Sequence, residues 1–370
     1  MPSKLRWDKL LFVVTLMLVG LGIVMIYSAS AIRAQEKFGD PAYFLKRQLI
    51  WAFLGLLVMF WMMGHDYRSL RRYAPILYLL SLFLLLLVLV PTVGIKVKGA
   101  RRWLRLFSFS FQPSELGKFS LILFLAHLFS KKGEKVDGLW EGLLPPLVLT
   151  GLLFSLIVLE PHLGTAMIVA LVALLMCFVA GVRVSHLILA GISLTPAVLL
   201  VAASFPHVKT RLWALLDPSR VSSQVRYQLN QSIYALGPGG LLGRGLGDSI
   251  QKLFYLPEPH TDFIFAIVGE EMGFLGASLV LFLFGVFLWR GVRTALGAPD
   301  LFGTYLAMGI TGAIVAQAVV NVGMVVGLLP TAGLPLPFVS FGGSSLVISL
   351  MGVGILLNIS QYVVPRGRLR

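Results

Sequence analysis

One stretch of this chain carries ionisable side chains beside an apolar run, and residues of these types can transfer protons. It reads YLPEPHTDFIFAIVGEEMGFLG over Tyr255–Gly276 and contains one histidine and four carboxylic acids. An ionised carboxylate in apolar surroundings is costly, so such a residue is a functional-site candidate. Asp262 stands where the polar part meets the apolar part. It could act as a proton acceptor, or it could cap a helix that begins at Phe263.

Two further acids, Glu270 and Glu271, lie inside the apolar part of the stretch. On one helix, Glu270 would lie about 12 Å along the axis from Asp262. The paired carboxylates of glycosidases lie only about 5–9.5 Å apart. We therefore expect Asp262 to act singly as a base, and we expect Glu270 and Glu271 to be structural or supporting groups.

A second candidate is an ion pair at the start of another apolar segment. The run QPSELGK over Gln112–Lys118 places Glu115 and Lys118 three residues apart, which puts them on one side of a helix. Charges in an apolar span usually face a bundle interior or a cavity. The pair could bind a ligand directly or clamp helices together.

A run rich in proline and glycine, PTAGLPLPFVSFGGSS over Pro330–Ser345, joins the last two apolar segments. Such a run breaks a helix, so at membrane depth its backbone must be buried in protein or line a wet cavity. Ser340 and Ser344 are candidate hydroxyl donors to that cavity. No histidine or aspartate lies near them in sequence, so the pattern does not indicate a serine nucleophile.

Composition predicts the elements that must position these residues. The chain is 57% hydrophobic and 13% charged, whereas soluble domains carry roughly 25% charged residues. This excludes a soluble enzyme and predicts an all-α, polytopic integral membrane protein of about ten transmembrane helices. We expect one domain over residues 1–370. A long external segment follows the seventh helix, and residues 206–272 hold the site and a short or re-entrant helix.

The spans share a length of about 20 mostly apolar residues. They are predicted at Leu10–Ser30, Leu49–Gly64, Ala74–Val93, Pro113–Phe129, Leu143–Leu159, Leu163–Gly181, Leu187–Phe205, Gly273–Arg290, Phe302–Gly327 and Gly342–Tyr362.

Lysine and arginine predict the orientation of these spans. Basic short loops mark the cytoplasmic side, which places both termini there. The net charge of +15 thus follows from topology and does not indicate nucleic-acid binding. Two external segments are nevertheless basic: Lys96–Arg105, which contains Arg102, and Pro206–Thr261, which contains Arg211. Their cations could snorkel beside headgroups, or they could bind an anion such as a lipid pyrophosphate.

Taken together, these motifs resemble the SEDS family (shape, elongation, division and sporulation) of bacterial peptidoglycan polymerases. The resemblance covers nearly the whole chain in the right order, and the stretch before Glu271 looks more like the division or sporulation members than the elongation member. The matching pieces are YSAS (27–30), FLKRQLIW (44–51), GARRW (99–103), FQPSELGK (111–118), residues 231–273 and GLPLPFVSFGGSS (333–345).

The resemblance implies a glycosyltransferase that polymerises lipid II at the outer face of the bacterial cytoplasmic membrane. It implies Asp262 as the catalytic acid of the HTDF motif, and it implies functional roles for Arg102, Glu115 and Lys118. It also implies a partner, a class B penicillin-binding protein, alongside other division proteins. One position departs from the family: His162 stands where an aspartate is usual, which leaves the role of that acid open.

The mechanism expected from both arguments has Asp262 accept the proton of the acceptor sugar's 4-hydroxyl. Cations then stabilise the departing undecaprenyl pyrophosphate. Further expected substrate contacts come from Glu115, Lys118, Arg211, His260, Ser340 and Ser344. A divalent ion, Mg or Mn, could assist, although the sequence shows no dedicated ligand cage. The alternatives are a lipid II flippase, an elongation or sporulation polymerase, and a non-catalytic scaffold.

The orientation can be tested by thiol labelling. A cysteine introduced by Ser222→Cys, with Cys177→Ser to remove the natural thiol, should react with an impermeant reagent in intact cells. This is expected because the basic loops place Pro206–Thr261 outside. Labelling that occurs only after lysis would contradict the orientation and the external position of the site.

Overall fold

A computed structural model describes residues 7–97, 100–106, 109–133, 138–192, 213 and 223–363 of the chain. Helices dominate the described part. They are α1 (Lys9–Phe38), α2 (Tyr43–Gly64), α3 (Ala74–Leu89), α4 (Pro113–Lys132), α5 (Leu144–Leu159), α6 (Leu163–Val179), α7 (Ser223–Leu236), α8 (Ile264–Leu296), α9 (Leu301–Val325) and α10 (Gly343–Ser360). A 3₁₀ turn at Tyr67–Arg72 precedes α3, and a π turn at Leu139–Leu143 leads into α5.

The predicted all-α membrane protein is confirmed. Six helical segments of the described chain are long and apolar enough to cross a membrane, and α3 and α6 are shorter apolar helices. Residues 184–192 are also helical. The rest of the predicted span Leu187–Phe205 lies outside the described residues. The number of ten spans and the single-domain organisation therefore stay predictions.

Short polar residues fix where several helices begin. Asp8 precedes α1 and accepts a hydrogen bond from the Leu11 amide at 3.0 Å. The same carboxylate pairs with Arg290 near the end of α8, with 2.6 Å between nitrogen and oxygen. Asp300 caps α9 by accepting from the Gly303 amide at 2.8 Å. Such caps satisfy amides that the first turn of a helix leaves unpaired.

A small antiparallel sheet follows α3, and the sequence analysis did not predict it. Its strands are β1 (Gly94–Val97), β2 (Ala100–Leu106) and β3 (Phe109–Phe111), in that order. In the sequence, cations dominate the segment Lys96–Arg105, and this pattern indicates a basic external loop. Strand alternation nevertheless buries Ala100 and Leu104 on one face and leaves Arg105 exposed. The sheet packs against α3, α4 and α10 and thereby gives Arg102 a fixed position.

Helix α8 is broken at Gly273, which divides a short buried helix from a longer apolar one. Gly273 has a φ of 64°, and a Cβ there would lie 2.3 Å from the Gly243 amide nitrogen. The break lets the segment between α7 and α8 pair with α8: the amides of Phe274 and Leu275 donate to the carbonyls of Gly240 and Leu241. The helix thus begins before the predicted start at Gly273, and its first part runs inside the protein.

The connection between α9 and α10, residues 326–342, is irregular, and its residues 336–340 are buried inside the bundle. Its backbone comes so close to α1 and α6 that only glycine fits: a Cβ on Gly22 would lie 2.6 Å from the Phe338 carbonyl oxygen, and one on Gly164 would lie 2.5 Å from that of Ala332. Gly333, Pro335 and Phe341 line a large cavity. This fits the expectation that irregular backbone over Pro330–Ser345 is either buried in protein or lines a cavity.

Candidate active site

A cavity of about 770 Å³ lies between α2, the small sheet, the α5–α6 turn and the start of α8. Cations and aromatic rings line it from α2 and β2. Polar groups approach from the segment before α8, and from the start of α10. The lining residues include Arg47, Trp51, Arg102, Trp103, Gln112, His162, Gln228, Glu258, His260, Thr261, Asp262, Phe341 and Ser345. Such a mixture suits a ligand that carries both anionic and hydroxylated groups.

Asp262 lines this cavity with a partly exposed side chain. Helix α8 begins at Ile264, and its N-cap residue is Phe263, which makes no side-chain capping hydrogen bond. The predicted helix start at Phe263, with Asp262 as its N-cap, is therefore one residue too early. A carboxylate at the wall of a polar cavity can instead meet a ligand, so the position fits a proton acceptor.

The backbone beside the Asp262 carboxylate is fixed by three donors. The successive carbonyls of residues 260–262 accept hydrogen bonds from the Phe341 amide at 2.9 Å, from Ser340 Oγ at 2.5 Å and from Asn321 Nδ2 at 2.8 Å. Two donors belong to the α9–α10 connection and the third to α9. The irregular connection therefore determines where Asp262 lies.

Arg102 lies in the same cavity and is held by the α5–α6 turn. Its Nε donates to the Glu160 carbonyl at 3.0 Å, and its Nη2 donates to the Pro161 carbonyl. His162, in the same turn, also lines the cavity, with its Nδ1 3.1 Å from Gln112 Nε2. A preorganised guanidinium can stabilise charge that develops in a bound anion.

His260 is buried in an aromatic wall of the cavity. Its ring centroid lies 4.4 Å from that of Phe44 and 5.9 Å from that of Phe341. These contacts fix the imidazole between α2 and the α9–α10 connection. The structure thus brings together three of the predicted site residues, namely Arg102, His260 and Asp262.

Glu115 and Lys118 pair as predicted, at 3.0 Å between Lys118 Nζ and Glu115 Oε2. They are not among the lining residues of the large cavity. Lys118 also donates to Gln317 Oε1 at 2.6 Å, and Gln317 Nε2 donates to the Pro335 carbonyl at 2.9 Å. Gln317 thus joins the pair to the α9–α10 connection, a contact that fits the clamping alternative, and a direct role of the pair stays a prediction.

Ser340 and Ser344 are engaged with backbone groups at the edge of the site. Ser340 accepts from the Leu336 amide at 2.8 Å and donates to the Thr261 carbonyl. Ser344 Oγ accepts from the Gln112 amide at 3.1 Å. Neither is among the lining residues, whereas Ser345 is. The remaining predicted site residue, Arg211, lies outside the described residues.

Glu270 and Glu271 fasten the segment before α8 to that helix, as expected for structural groups. Glu270 Oε1 accepts from the Ile250 amide at 2.9 Å. Glu271 pairs with Lys252 at 3.0 Å and accepts from Ser28 Oγ on α1. Both buried carboxylates thus have partners, as buried polar groups generally do. Lys252, one of the cations of this segment, therefore has a structural partner.

A divalent ion would need a set of oxygen ligands, usually several carboxylates or carbonyls. Among the residues that the structure describes, no group of three His, Cys, Asp or Glu side chains is placed to hold a metal ion. The residues present do not form such a donor set.

Several cavity residues were not predicted as site residues. Arg47 and Trp51 on α2, Gln112 before α4, and Gln228 on α7 all line the cavity. The first three fall in the FLKRQLIW and FQPSELGK runs, which carried the family resemblance. Gln228 lies just before residues 231–273, where no single polar residue stood out. Spacing along the chain could not show that these distant runs meet.

Fold and site define a polytopic membrane protein whose amphipathic cavity carries one candidate base and fixed cations. The chain belongs to the FtsW/RodA/SpoVE family, whose model, described as cell cycle protein, matches residues 8–364. Its relatives include stage V sporulation protein E of Bacillus subtilis (strain 168), 45% identical over 97% of this chain and 98% of that protein. The probable peptidoglycan glycosyltransferase FtsW of Trichlorobacter lovleyi is also 45% identical, over 97% and 94%.

Two solved structures share the fold. One, from work on how a peptidoglycan synthase complex coordinates polymerization and crosslinking, has a TM-score of 0.80 and 32% identity, covering 96% of this chain and 97% of that one. The rod shape determining protein RodA of Thermus thermophilus has a TM-score of 0.69 and 31% identity, covering 96% of each chain. The resemblance found in the sequence is thereby confirmed.

The Glu115–Lys118 pair can be tested by a double-mutant cycle. Glu115→Gln and Lys118→Met should each lower the melting temperature of the purified protein, because each strands a buried partner. The double variant should recover stability relative to the sum of the single losses, since no charge is then left unpaired. Strictly additive losses would contradict direct pairing.

The buried Glu160 in the α5–α6 turn should make stability depend on pH. Burial raises the pKa of Glu160 to about 8, against the opposing charge of Arg102. The folded-state pKa lies above the unfolded value of about 4.3, so stability should fall as the pH rises between these values. Glu160→Gln removes this loss. The melting temperature of Glu160→Gln minus that of the wild type should therefore increase from about pH 5 to about pH 8. A difference in melting temperature that does not change with pH would contradict the prediction.

Proposed function

We propose that this protein is a peptidoglycan glycosyltransferase that polymerises lipid II into glycan strands, with cell division as its setting. The observation that carries the proposal is that Asp262 and Arg102 line one cavity, although they lie far apart in the chain. A candidate base and an anion-stabilising cation are the two groups that transfer of a sugar from a lipid pyrophosphate needs. The Trichlorobacter lovleyi relative, a probable peptidoglycan glycosyltransferase FtsW, supports the same activity.

In the proposed reaction, Asp262 removes the proton from the 4-hydroxyl of the acceptor sugar. The oxygen attacks the anomeric carbon of the lipid-linked donor, and the bond from that carbon to the pyrophosphate oxygen breaks. The carboxylate therefore leaves the step protonated, and the electron pair leaves with the pyrophosphate. The partly exposed position of Asp262 allows solvent to take the proton afterwards.

The leaving pyrophosphate gains negative charge, and the guanidinium of Arg102 is the candidate group to stabilise it. Arg47 is a second cation at the cavity wall, 4.7 Å above the Tyr43 ring. Both arginines can bind phosphate oxygens through paired N–H groups. Trp51 and Trp103 offer flat apolar faces to the sugar rings. Lys118, by contrast, acts in this proposal through Gln317 on the site's framework.

The proposal also covers location and partners. The basic loops favour a bacterial cytoplasmic membrane, with both termini inside and the cavity open to the outer face. The related structure of a peptidoglycan synthase complex supports a class B penicillin-binding protein as the partner that crosslinks the strands. Lipid II and the growing glycan on undecaprenyl pyrophosphate are the proposed substrates, and other division proteins the further partners.

The deciding experiment is polymerisation of lipid II by purified Asp262→Asn in detergent. The variant keeps the shape of the side chain and loses the proton acceptor, so activity should fall roughly 10²–10⁴-fold with an unchanged melting temperature. Asp248→Asn, which changes an exposed acid of the same external segment, is the matched control and should stay active.

Near-normal polymerisation by Asp262→Asn would remove this residue from the mechanism. If the wild type forms no polymer in detergent but moves lipid II across sealed vesicles, the protein is a flippase. If it does neither and still binds division proteins, it is a scaffold.

A further inference from the structure

Asn321 on α9 is a fully buried amide that links two segments of the site. Its Nδ2 donates to the Asp262 carbonyl at 2.8 Å and to the Leu334 carbonyl at 2.6 Å. Both acceptors are carbonyl oxygens, so the amide must turn its N–H groups towards them. Its Oδ1 has no hydrogen-bond partner among the described residues, so donation is the contribution this side chain makes.

The partners of Asn321 differ from those of the neighbouring polar residue on the same helix face. Gln317, one turn earlier, holds the Pro335 carbonyl and accepts from Lys118. Asn321 joins α9 directly to the residue proposed as the base. The other two donors to this backbone, Ser340 and Phe341, hold the carbonyls of residues 261 and 260.

The backbone of residues 260–262 is held by hydrogen bonds from three donors, and Asn321 is the donor to the Asp262 carbonyl itself. The Cα position of Asp262 depends on these bonds. A reacting group misplaced by 1 Å can lose roughly 100-fold in rate. The Asn321 amide is thus placed where a small loss of order would reach the carboxylate.

We propose that Asn321 is a positioning residue for Asp262, which fixes the base at the cavity wall through the Asp262 backbone. The expected effect of Asn321 on kcat rests on the proposed function, whereas its expected effect on the position of Asp262 does not. Asn321 itself touches no substrate: it is fully buried and is not among the residues that line the cavity.

The kinetic test is a double-mutant cycle of Asn321→Ala and Asp262→Asn in lipid II polymerisation. Asn321→Ala alone should lower kcat by roughly 10- to 100-fold and change KM for lipid II by less than about 2-fold, since the substrate contacts are intact. In the Asp262→Asn background, the same change should lower residual activity by less than about 2-fold, because the base is already absent.

Thr311→Val is the matched control, because Thr311 is a buried residue of the same helix whose hydroxyl has no hydrogen-bond partner among the described residues. It should leave kcat unchanged. Asn321→Ser is a milder variant that keeps one donor, and it serves if Asn321→Ala folds poorly. Its kcat should lie between that of the wild type and that expected for Asn321→Ala.

A structural readout keeps the inference testable without any activity. Asp262→Cys, combined with Cys177→Ser, places a thiol at the position of the base. Asn321→Ala should change the reaction rate of that thiol with a small charged reagent by at least about 3-fold. The reason is that losing the hydrogen bond changes how often this part of the backbone opens locally. Thr311→Val should not change it.

The outcomes separate the two proposals. If Asp262→Asn stays active but the thiol rate responds to Asn321→Ala, the proposed function fails and the positioning contact stands. If Asn321→Ala leaves both kcat and the thiol rate unchanged, the positioning role is overturned. Fully multiplicative losses in the kinetic cycle would likewise overturn it, since they would show that Asn321 acts independently of Asp262.

Discussion

The structure depends on one constraint: irregular backbone inside a membrane protein must find all its hydrogen bonds within the protein. Residues 326–342 break the helical order between α9 and α10, and the protein meets the cost with buried amides. Gln317 donates to the Pro335 carbonyl and Asn321 to the Leu334 carbonyl. Glycines at 22 and 164 let neighbouring helices reach the same backbone. The connection is thereby rigid enough to serve as a platform.

The platform holds the residues before α8 and orders the charges around the cavity. Ser340, Phe341 and Asn321 hold the carbonyls of residues 260–262. Lys118 donates to Gln317, which binds the platform, and the same ammonium group also pairs with Glu115. In sequence, Lys118 and Arg102 look alike, because each is a cation beside an apolar run. In the structure, Arg102 lines the cavity, whereas Lys118 contacts Glu115 and Gln317.

The cavity joins three separate parts of the chain through different kinds of element. Arg47 and Trp51 come from a membrane helix, Arg102 and Trp103 from a small sheet, and Asp262 from the turn before α8. Arg102 is held by carbonyls of the α5–α6 turn, in which Glu160 and His162 also lie. His162 also lines the cavity, with its Nδ1 3.1 Å from Gln112 Nε2. The α5–α6 turn therefore forms part of the cavity wall.

The sequence by itself determined the class of the protein, most helix positions and the Glu115–Lys118 pair, and it singled out Asp262 as a candidate, because apolar runs and charges inside them are local signals. It did not reveal the β1–β3 sheet, whose cations hid the alternation of strands. Only the tertiary structure showed that the N-cap residue of α8 is Phe263, that Ser340 and Ser344 bind backbone, and that Asn321 joins α9 to Asp262. These facts depend on which segments meet in space, and contacts between residues 59 positions apart leave no periodic trace in one sequence.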